Sequence, residues 1–243
     1  MSRNALRGIG GILFDKDGTL IRYDESWAPV NREAARLAAA GNANLETKLL
    51  VAAGMDPISG HTHADSLYAA GNAAEIAAGF IAAGSPLTVE DLTSRLDALF
   101  VQATEYAVPV TDLRSLFSRL KARGLKLGIA SSDNELSIRQ TARRFKIDRY
   151  VDFVAGYDSG FGIKPEPGMV LGFCAAVGLE PGSIAMVGDN KHDLAMGANA
   201  GVSASIGVLT GTGTRDTLAP LADLCLDSIA SLEELLLCDE KIG

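Results

Sequence analysis

Two aspartates one residue apart, Asp15 and Asp17, end an apolar run in the stretch GGILFDKDGTL, Gly10 to Leu20. Carboxylates that close repel each other unless a cation lies nearby or one of them carries a proton. Three more polar groups stand in comparable places. Ser131-Ser132-Asp133 follows the apolar run Leu125 to Ala130, Lys164 stands in GIKPEPG, and Asp189 and Asp193 stand in VGDNKHD, Val187 to Asp193. Acids, hydroxyls and one lysine suit phosphoryl transfer. Asp15, Asp17 and Asp189 offer hard oxygen ligands of the kind that hold Mg²⁺ together with substrate phosphate and water. Ser131 and amides near a helix start can bind phosphate oxygens, and Lys164 can add positive charge. One aspartate can attack phosphorus while the other moves protons.

Each group taken singly has a plainer reading. Asp-Gly after a strand is often only a turn, Ser131 can cap a helix, and Lys164 can be a solvated charge. Asp193 can simply favour a helix N-terminus. A calcium-binding loop starting at Asp15 fails, because the glycine it needs would fall at Leu20. What favours chemistry is that these groups follow successive predicted strands.

The elements that would position them alternate. Gly11 to Phe14, Leu125 to Ala130, Phe153 to Ala155, Ile184 to Val187 and Ser205 to Val208 read as buried strands. Helical patterns fill the gaps at Asp112 to Arg123, Glu135 to Lys146, Pro167 to Val177 and His192 to Ala200. The first of these carries Leu113, Leu116, Phe117 and Leu120 on one face. Such alternation predicts an α/β fold with a parallel sheet covered on both faces, whose ligands gather at the carboxyl ends of the strands. Residues from Arg22 to Tyr106 differ: they are Ala-rich and helical, broken at Gly41-Asn42, Gly54 to Pro57, Gly71-Asn72 and Gly84 to Pro86. The expected division is an α/β core of residues 1–21 and 107–243, interrupted after its first strand by a helical insert, residues 22–106.

Composition narrows the function. Across 243 residues, 47% are hydrophobic, enough for a sizeable core, and the net charge of −8 argues against a nucleic-acid partner. Cys174, Cys225 and Cys238 are scattered with no paired spacing and read as free thiols. No apolar segment reaches the ~20 residues of a membrane span, so a cytoplasmic protein is expected. The loop GVLTGTGTRD, Gly207 to Asp216, has a short GxG but no GxxG opening a helix, and does not make a dinucleotide site. Ser231 to Leu237 reads as a short closing helix.

In this order the motifs resemble the haloacid dehalogenase-like hydrolase superfamily, and within it the phosphoglycolate phosphatase-like branch. FDKDGTL is similar to the family's DxDGT motif, IASS to its second, GIKPEPG to its third and VGDNKHD to its GDxxxD motif. The resemblance spans nearly the whole chain and implies a Rossmann-like core whose insert is an all-helical cap. It implies Asp15 as nucleophile and Mg²⁺ ligand. Asp17 becomes the acid and base, with its backbone carbonyl on the metal. Ser131 and Lys164 hold the phosphoryl oxygens, with backbone amides of Gly18 and Ser132 assisting. Asp189 ligates Mg²⁺, and Asp193 supports the metal site or Lys164. Relatives that cleave carbon–halogen or phosphonate bonds, or pump ions, lack an acid at the position of Asp17.

The implied activity is a Mg²⁺-dependent phosphatase for a small phosphorylated metabolite, phosphoglycolate first among them, as a monomer or homodimer. A sugar phosphomutase on the same core is the nearest alternative. A phospho-aspartate signalling domain is a more distant one, since such domains are about half this length and lack a cap. Lys16 stands where the family more often carries an apolar residue, and its role stays open. In the insert, His61, His63 and Asp65 make the loop GMDPISGHTHADS a candidate substrate contact. Arg22, Tyr23 and Trp27 are candidates for a hinge or a pocket wall, and Trp27 equally for the core of the insert.

Overall fold

The computed structural model describes residues 8–232. The expected closing helix, Ser231 to Leu237, lies largely outside those residues, as does Cys238. The chain opens with strand β1, Gly11–Phe14, and then leaves the sheet for five helices: α1 Tyr23–Ala38, α2 Ala43–Ala52, α3 Leu67–Ala70, α4 Ala73–Ala82 and α5 Val89–Ala103. It returns through α6 Leu113–Ala122, β2 Lys126–Ala130, α7 Glu135–Arg144, β3 Phe153–Ala155, α8 Gly168–Val177, β4 Ile184–Gly188, α9 Lys191–Ala200, β5 Ala204–Val208, α10 Arg215–Leu218 and β6 Leu224–Leu226.

The six strands form one sheet in the order β3-β2-β1-β4-β5-β6, parallel throughout. β1 lies at its centre, with Ile12 opposite Leu127 on one side and Ala185 on the other. Its four residues are all buried, as a strand covered on both faces requires. One face packs Ile12 and Phe14 against Leu116, Phe117 and Leu120 of α6; the other packs Leu13 against Phe173 of α8 and Met196 of α9. The five expected strands all occur. The sixth, β6, goes beyond the sequence expectation: it is the three residues Leu-Cys-Leu between Asp223 and Asp227, at the edge of the sheet beside β5.

The inserted helices have an apolar cluster of their own, built on Tyr23, Trp27, Ala34 and Ala38 of α1, Leu49 of α2, Phe80 of α4 and Leu92, Leu96 and Phe100 of α5. Asn72 caps α4 and Thr88 caps α5, so the breaks read at Gly71-Asn72 and Gly84 to Pro86 are true helix boundaries. The chain crosses between core and insert along two adjacent strands of backbone. Arg22 N–H donates to Val108 O at 2.8 Å, and Val110 N–H donates to Leu20 O at 3.0 Å. No helix among the described residues is long and apolar enough to cross a membrane.

Candidate active site

The carboxyl ends of β1, β2 and β4 deliver the predicted polar groups to one edge of the sheet. Asp15 directly follows β1, and its N–H still donates to Val187 O at 2.8 Å, which continues the ladder. The chain then turns sharply, with Lys16 O accepting from Leu20 N–H at 2.8 Å. Gly18 makes that turn possible at φ +83°, where a side chain is strained. After β4, Asn190 and Asp193 close a reciprocal cap on α9. Asn190 Oδ1 accepts from His192 N–H at 3.0 Å and Asp193 Oδ2 accepts from Asn190 N–H at 3.0 Å. This cap aims the other oxygen of Asp193 into the site.

Lys164 bridges that group. Its Nζ donates to Asp15 Oδ1 at 2.6 Å and to Asp193 Oδ1 at 2.6 Å. Burial pulls its ammonium down, but Asp15 and Asp193 outweigh this and hold it above its ordinary value. Burial likewise pushes the Asp15 carboxyl up to about 6 against the opposing charge of Lys164. Asp189 is also raised well above its ordinary value, by burial and then by its neighbours Asp15 and Asp193. Single oxygens of Asp15, Asp189 and Asp193 lie within 4.8 Å of one another, all three residues being buried. The cluster is short of positive charge.

A metal cation fits that shortage. Asp15 Oδ2 is buried without a hydrogen-bond partner, an expensive state for a carboxylate oxygen that a cation would relieve. An all-oxygen donor set of this kind suits Mg²⁺. The side chain of Asp17 stands outside this cluster. Its Oδ1 accepts from Trp27 Nε1 at 2.7 Å, and Ser131 Oγ lies 3.4 Å from its Oδ2. Burial pushes Asp17 up to about 6, with Lys16 pulling the other way.

Lys16 now has an explanation. It is 2% exposed, and its Nζ reaches Asp133 Oδ2 at 2.7 Å and Asp17 Oδ1 at 3.1 Å, with the Trp27 ring 5.3 Å away. Asp133 Oδ2 also accepts from Ser137 Oγ at 2.5 Å, and Asn134 Nδ2 reaches across to Asp97 Oδ1 of α5 at 3.1 Å. The lysine therefore holds the acid–base candidate to β2 and, through it, to the insert. Lys16→Met would leave Asp133 buried beside Asp17 without a counter-charge. We expect a loss of about 3 kcal/mol in unfolding free energy, read by chemical denaturation, because breaking a buried pair strands its partner.

Two expectations are corrected. The Gly18 N–H does not point to a phosphate position: it donates to Ile21 O at 2.8 Å within the turn. Gly18 contributes room instead, since a Cβ there would lie 2.5 Å from Asp189 Cγ. The loop GMDPISGHTHADS does not line the site cavity among the described residues. His61 Nδ1 pairs with Asp24 at 2.9 Å and both side chains are exposed. What this loop supplies is Asp65, 2.7 Å from Lys191 at the start of α9, a tie between insert and core.

The cavity over the site measures about 60 Å³. Its core side carries Asp15, Asp17, Ser131, Ser132, Lys164, Asp189 and Asp193, the predicted set without Gly18. Its other wall comes from Tyr23, Trp27 and Asn31 of α1, Tyr68 and Gly71 around α3, Ile76 of α4 and Phe100 of α5. Tyr23 and Trp27 thus line the pocket and also belong to the apolar cluster of the insert, while Arg22 stays in the crossing strands. Thr212 was missed by the sequence reading: its N–H donates to Asp189 Oδ2 at 2.8 Å, and Gly211 leaves the space for that carboxylate. The Gly-Thr alternation of residues 210–214 is the sequence signal that points to this contact.

The chain belongs to the haloacid dehalogenase-like hydrolase family, whose pattern it matches over residues 9–201. Among curated proteins it is similar to pyrophosphatase PpaX of Bacillus cereus (strain AH820), 30% identical over 117 residues, which are 48% of this chain and 54% of that protein. The chain thus spans about half the length of the curated relatives it matches. Its fold is that of a predicted phosphoglycolate phosphatase from Haemophilus somnus 129PT, with TM-score 0.72, 20% identity, and coverage of 95% of this chain and 99% of that one. CbbY from Rhodobacter sphaeroides, solved in complex with phosphate, superposes with TM-score 0.69 at 20% identity, covering 92% and 96% of the two chains.

Proposed function

We propose that this chain is a Mg²⁺-dependent phosphatase that hydrolyses a small phosphorylated metabolite through an aspartyl-phosphate on Asp15. The observation that carries the reading is the division of labour at the end of β1. Asp15 lies against Lys164 with one oxygen free of hydrogen bonds, while Asp17, two residues on, is held apart by Trp27 and Lys16.

In the proposed first step a carboxylate oxygen of Asp15 attacks phosphorus and the ester P–O bond breaks. Asp17, whose raised carboxyl keeps a protonated fraction near neutral pH, gives its proton to the departing oxygen. In the second step the Asp17 carboxylate takes a proton from water, the water oxygen bonds to phosphorus, and the Asp15–phosphorus bond breaks to release inorganic phosphate. Lys164 and Ser131, with the backbone amide of Ser132, would hold the phosphoryl oxygens. Asp15, Asp189, Asp193 and the backbone carbonyl of Asp17 would hold Mg²⁺, which supplies charge neutralisation for phosphoryl oxygens and carboxylates alike. The insert would act as a cap that keeps water from the site.

The test is a screen of phosphorylated metabolites, phosphoglycolate included, for inorganic phosphate release and for isomer formation in parallel. Phosphate release without isomer supports a phosphatase over a mutase. Removing the metal with excess EDTA is expected to lower turnover at least about a hundredfold, with recovery on adding Mg²⁺. EDTA should also lower the melting temperature of Mg²⁺-loaded protein, since a ligand of the folded state stabilises it. Turnover that persists in EDTA would overturn the metal assignment.

A further inference from the structure

The wall of the cavity that faces away from the phosphoryl groups bears on what leaves when the P–O bond breaks. Asn31, on α1, is 1% exposed and lines the cavity, yet its Nδ2 has no hydrogen-bond partner. A buried amide donor left unpaired is costly, and such groups are normally satisfied by protein, water or ligand. Around it the wall is uncharged: Trp27, Tyr68, Ile76 and Phe100 supply aromatic and aliphatic surface. The Tyr68 hydroxyl does not point its proton to a ligand, because it donates to Asn31 O at 2.7 Å.

Positive charge is confined to the core side. Lys164 is committed to Asp15 and Asp193, and Lys16 to Asp17 and Asp133. His192, the remaining basic residue on the cavity lining, stands on α9 beside Asp193 rather than on the insert. A leaving group with its own carboxylate or second phosphate would therefore be buried opposite an aromatic wall without a counter-charge, in a site already rich in aspartate. That costs far more than one hydrogen bond returns.

We infer that the substrate is a phosphate monoester of a small, uncharged alcohol carrying an oxygen that accepts from Asn31 Nδ2. This rests on the phosphatase reading above and narrows it. An anionic alcohol half, such as the carboxylate of phosphoglycolate, is disfavoured by the same wall.

Three probes with nearly the same skeleton separate the contributions: 2-hydroxyethyl phosphate, ethyl phosphate and phosphoglycolate. With Mg²⁺ present, kcat/KM is expected to be about tenfold higher for 2-hydroxyethyl than for ethyl phosphate, the worth of one neutral hydrogen bond. It should be at least about a hundredfold higher than for phosphoglycolate. In Asn31→Leu the preference for 2-hydroxyethyl over ethyl phosphate should collapse to near unity. Phosphoglycolate as the best of the three would overturn the inference. So would equal rates for ethyl and 2-hydroxyethyl phosphate, which would mean that water satisfies Asn31. Acetyl phosphate serves as an independent donor for the reaction itself. If it phosphorylates Asp15 while the three esters show no such order, the inference fails and the phosphatase reading stands. If neither it nor any ester yields phosphate, the phosphatase reading fails as well.

Discussion

Asp15→Asn is expected to abolish phosphate release, by at least about 10⁴-fold in kcat, while the protein folds and melts as a single cooperative unit. An amide oxygen is a poor nucleophile and cannot form the acyl phosphate on which both steps depend, so what remains is the positioning and electrostatic contribution of the rest of the site. The structure indicates why the fold should tolerate the change. Asp15 Oδ1 is one of two carboxylate oxygens that Lys164 contacts at 2.6 Å, and Asp193 keeps the second. The substitution also removes one negative charge from a crowded set, since Asp15 is among the causes that raise Asp189. Melting in the absence of metal should therefore shift by only a few degrees, in either direction. Two measurements check the role together. Phosphate release is followed against the best ester, and the intact mass is taken after incubation with acetyl phosphate in the Asp17→Asn background, where only the protein that keeps Asp15 should hold a phosphoryl group. Undiminished turnover in the variant would remove Asp15 as the nucleophile.

Much of this arrangement was legible because the relevant residues sit where local pattern is strongest. Asp15, Ser131 and Asp189 each follow a short apolar strand, and a parallel sheet places such positions together whatever the loops do. Asp193 was legible because Asn190-x-x-Asp193 is a local helix start. The residues that escaped are those whose partners lie far along the chain. Lys16 is explained only by Asp133, 117 positions away, and the Trp27 contact to Asp17 depends on how the insert folds back over β1. No periodicity reports either contact. Asn31 was invisible for the same reason: in the sequence it is one polar residue in an amphipathic helix, and only the packing of α1 against Tyr68 shows its amide left over. The Gly18 amide was misplaced because DG fixes a turn but not where the N–H of that turn goes. The histidines of the insert drew attention by type, whereas their surroundings, an exposed loop against Asp24, put them outside the cavity.

The second large effect divides according to the leaving group. Asp17→Asn should lower turnover of alkyl phosphates by about 10² to 10⁴-fold, the range that a positioned acid or base contributes. Asparagine keeps an oxygen to accept from Trp27 Nε1, a contact of 2.7 Å in the native protein, and Lys16 keeps Asp133 at 2.7 Å. The geometry is thus retained while the transferable proton is lost. Acetyl phosphate behaves differently, because acetate departs as a stable anion and needs no proton. Formation of the Asp15 phosphoenzyme from this donor should fall far less than it does from an alkyl ester. Hydrolysis of that phosphoenzyme needs a base to take a proton from water, and an asparagine side chain cannot serve as one, so the phosphoenzyme should accumulate where the native protein shows little. Rapid quenching and intact mass would follow both steps. A uniform loss across the two donors, with no accumulation, would mean that Asp17 positions other groups rather than moving protons. Accumulation confined to acetyl phosphate would instead tie both proton transfers to one carboxylate, held in place by Lys16 on the core and Trp27 on the insert.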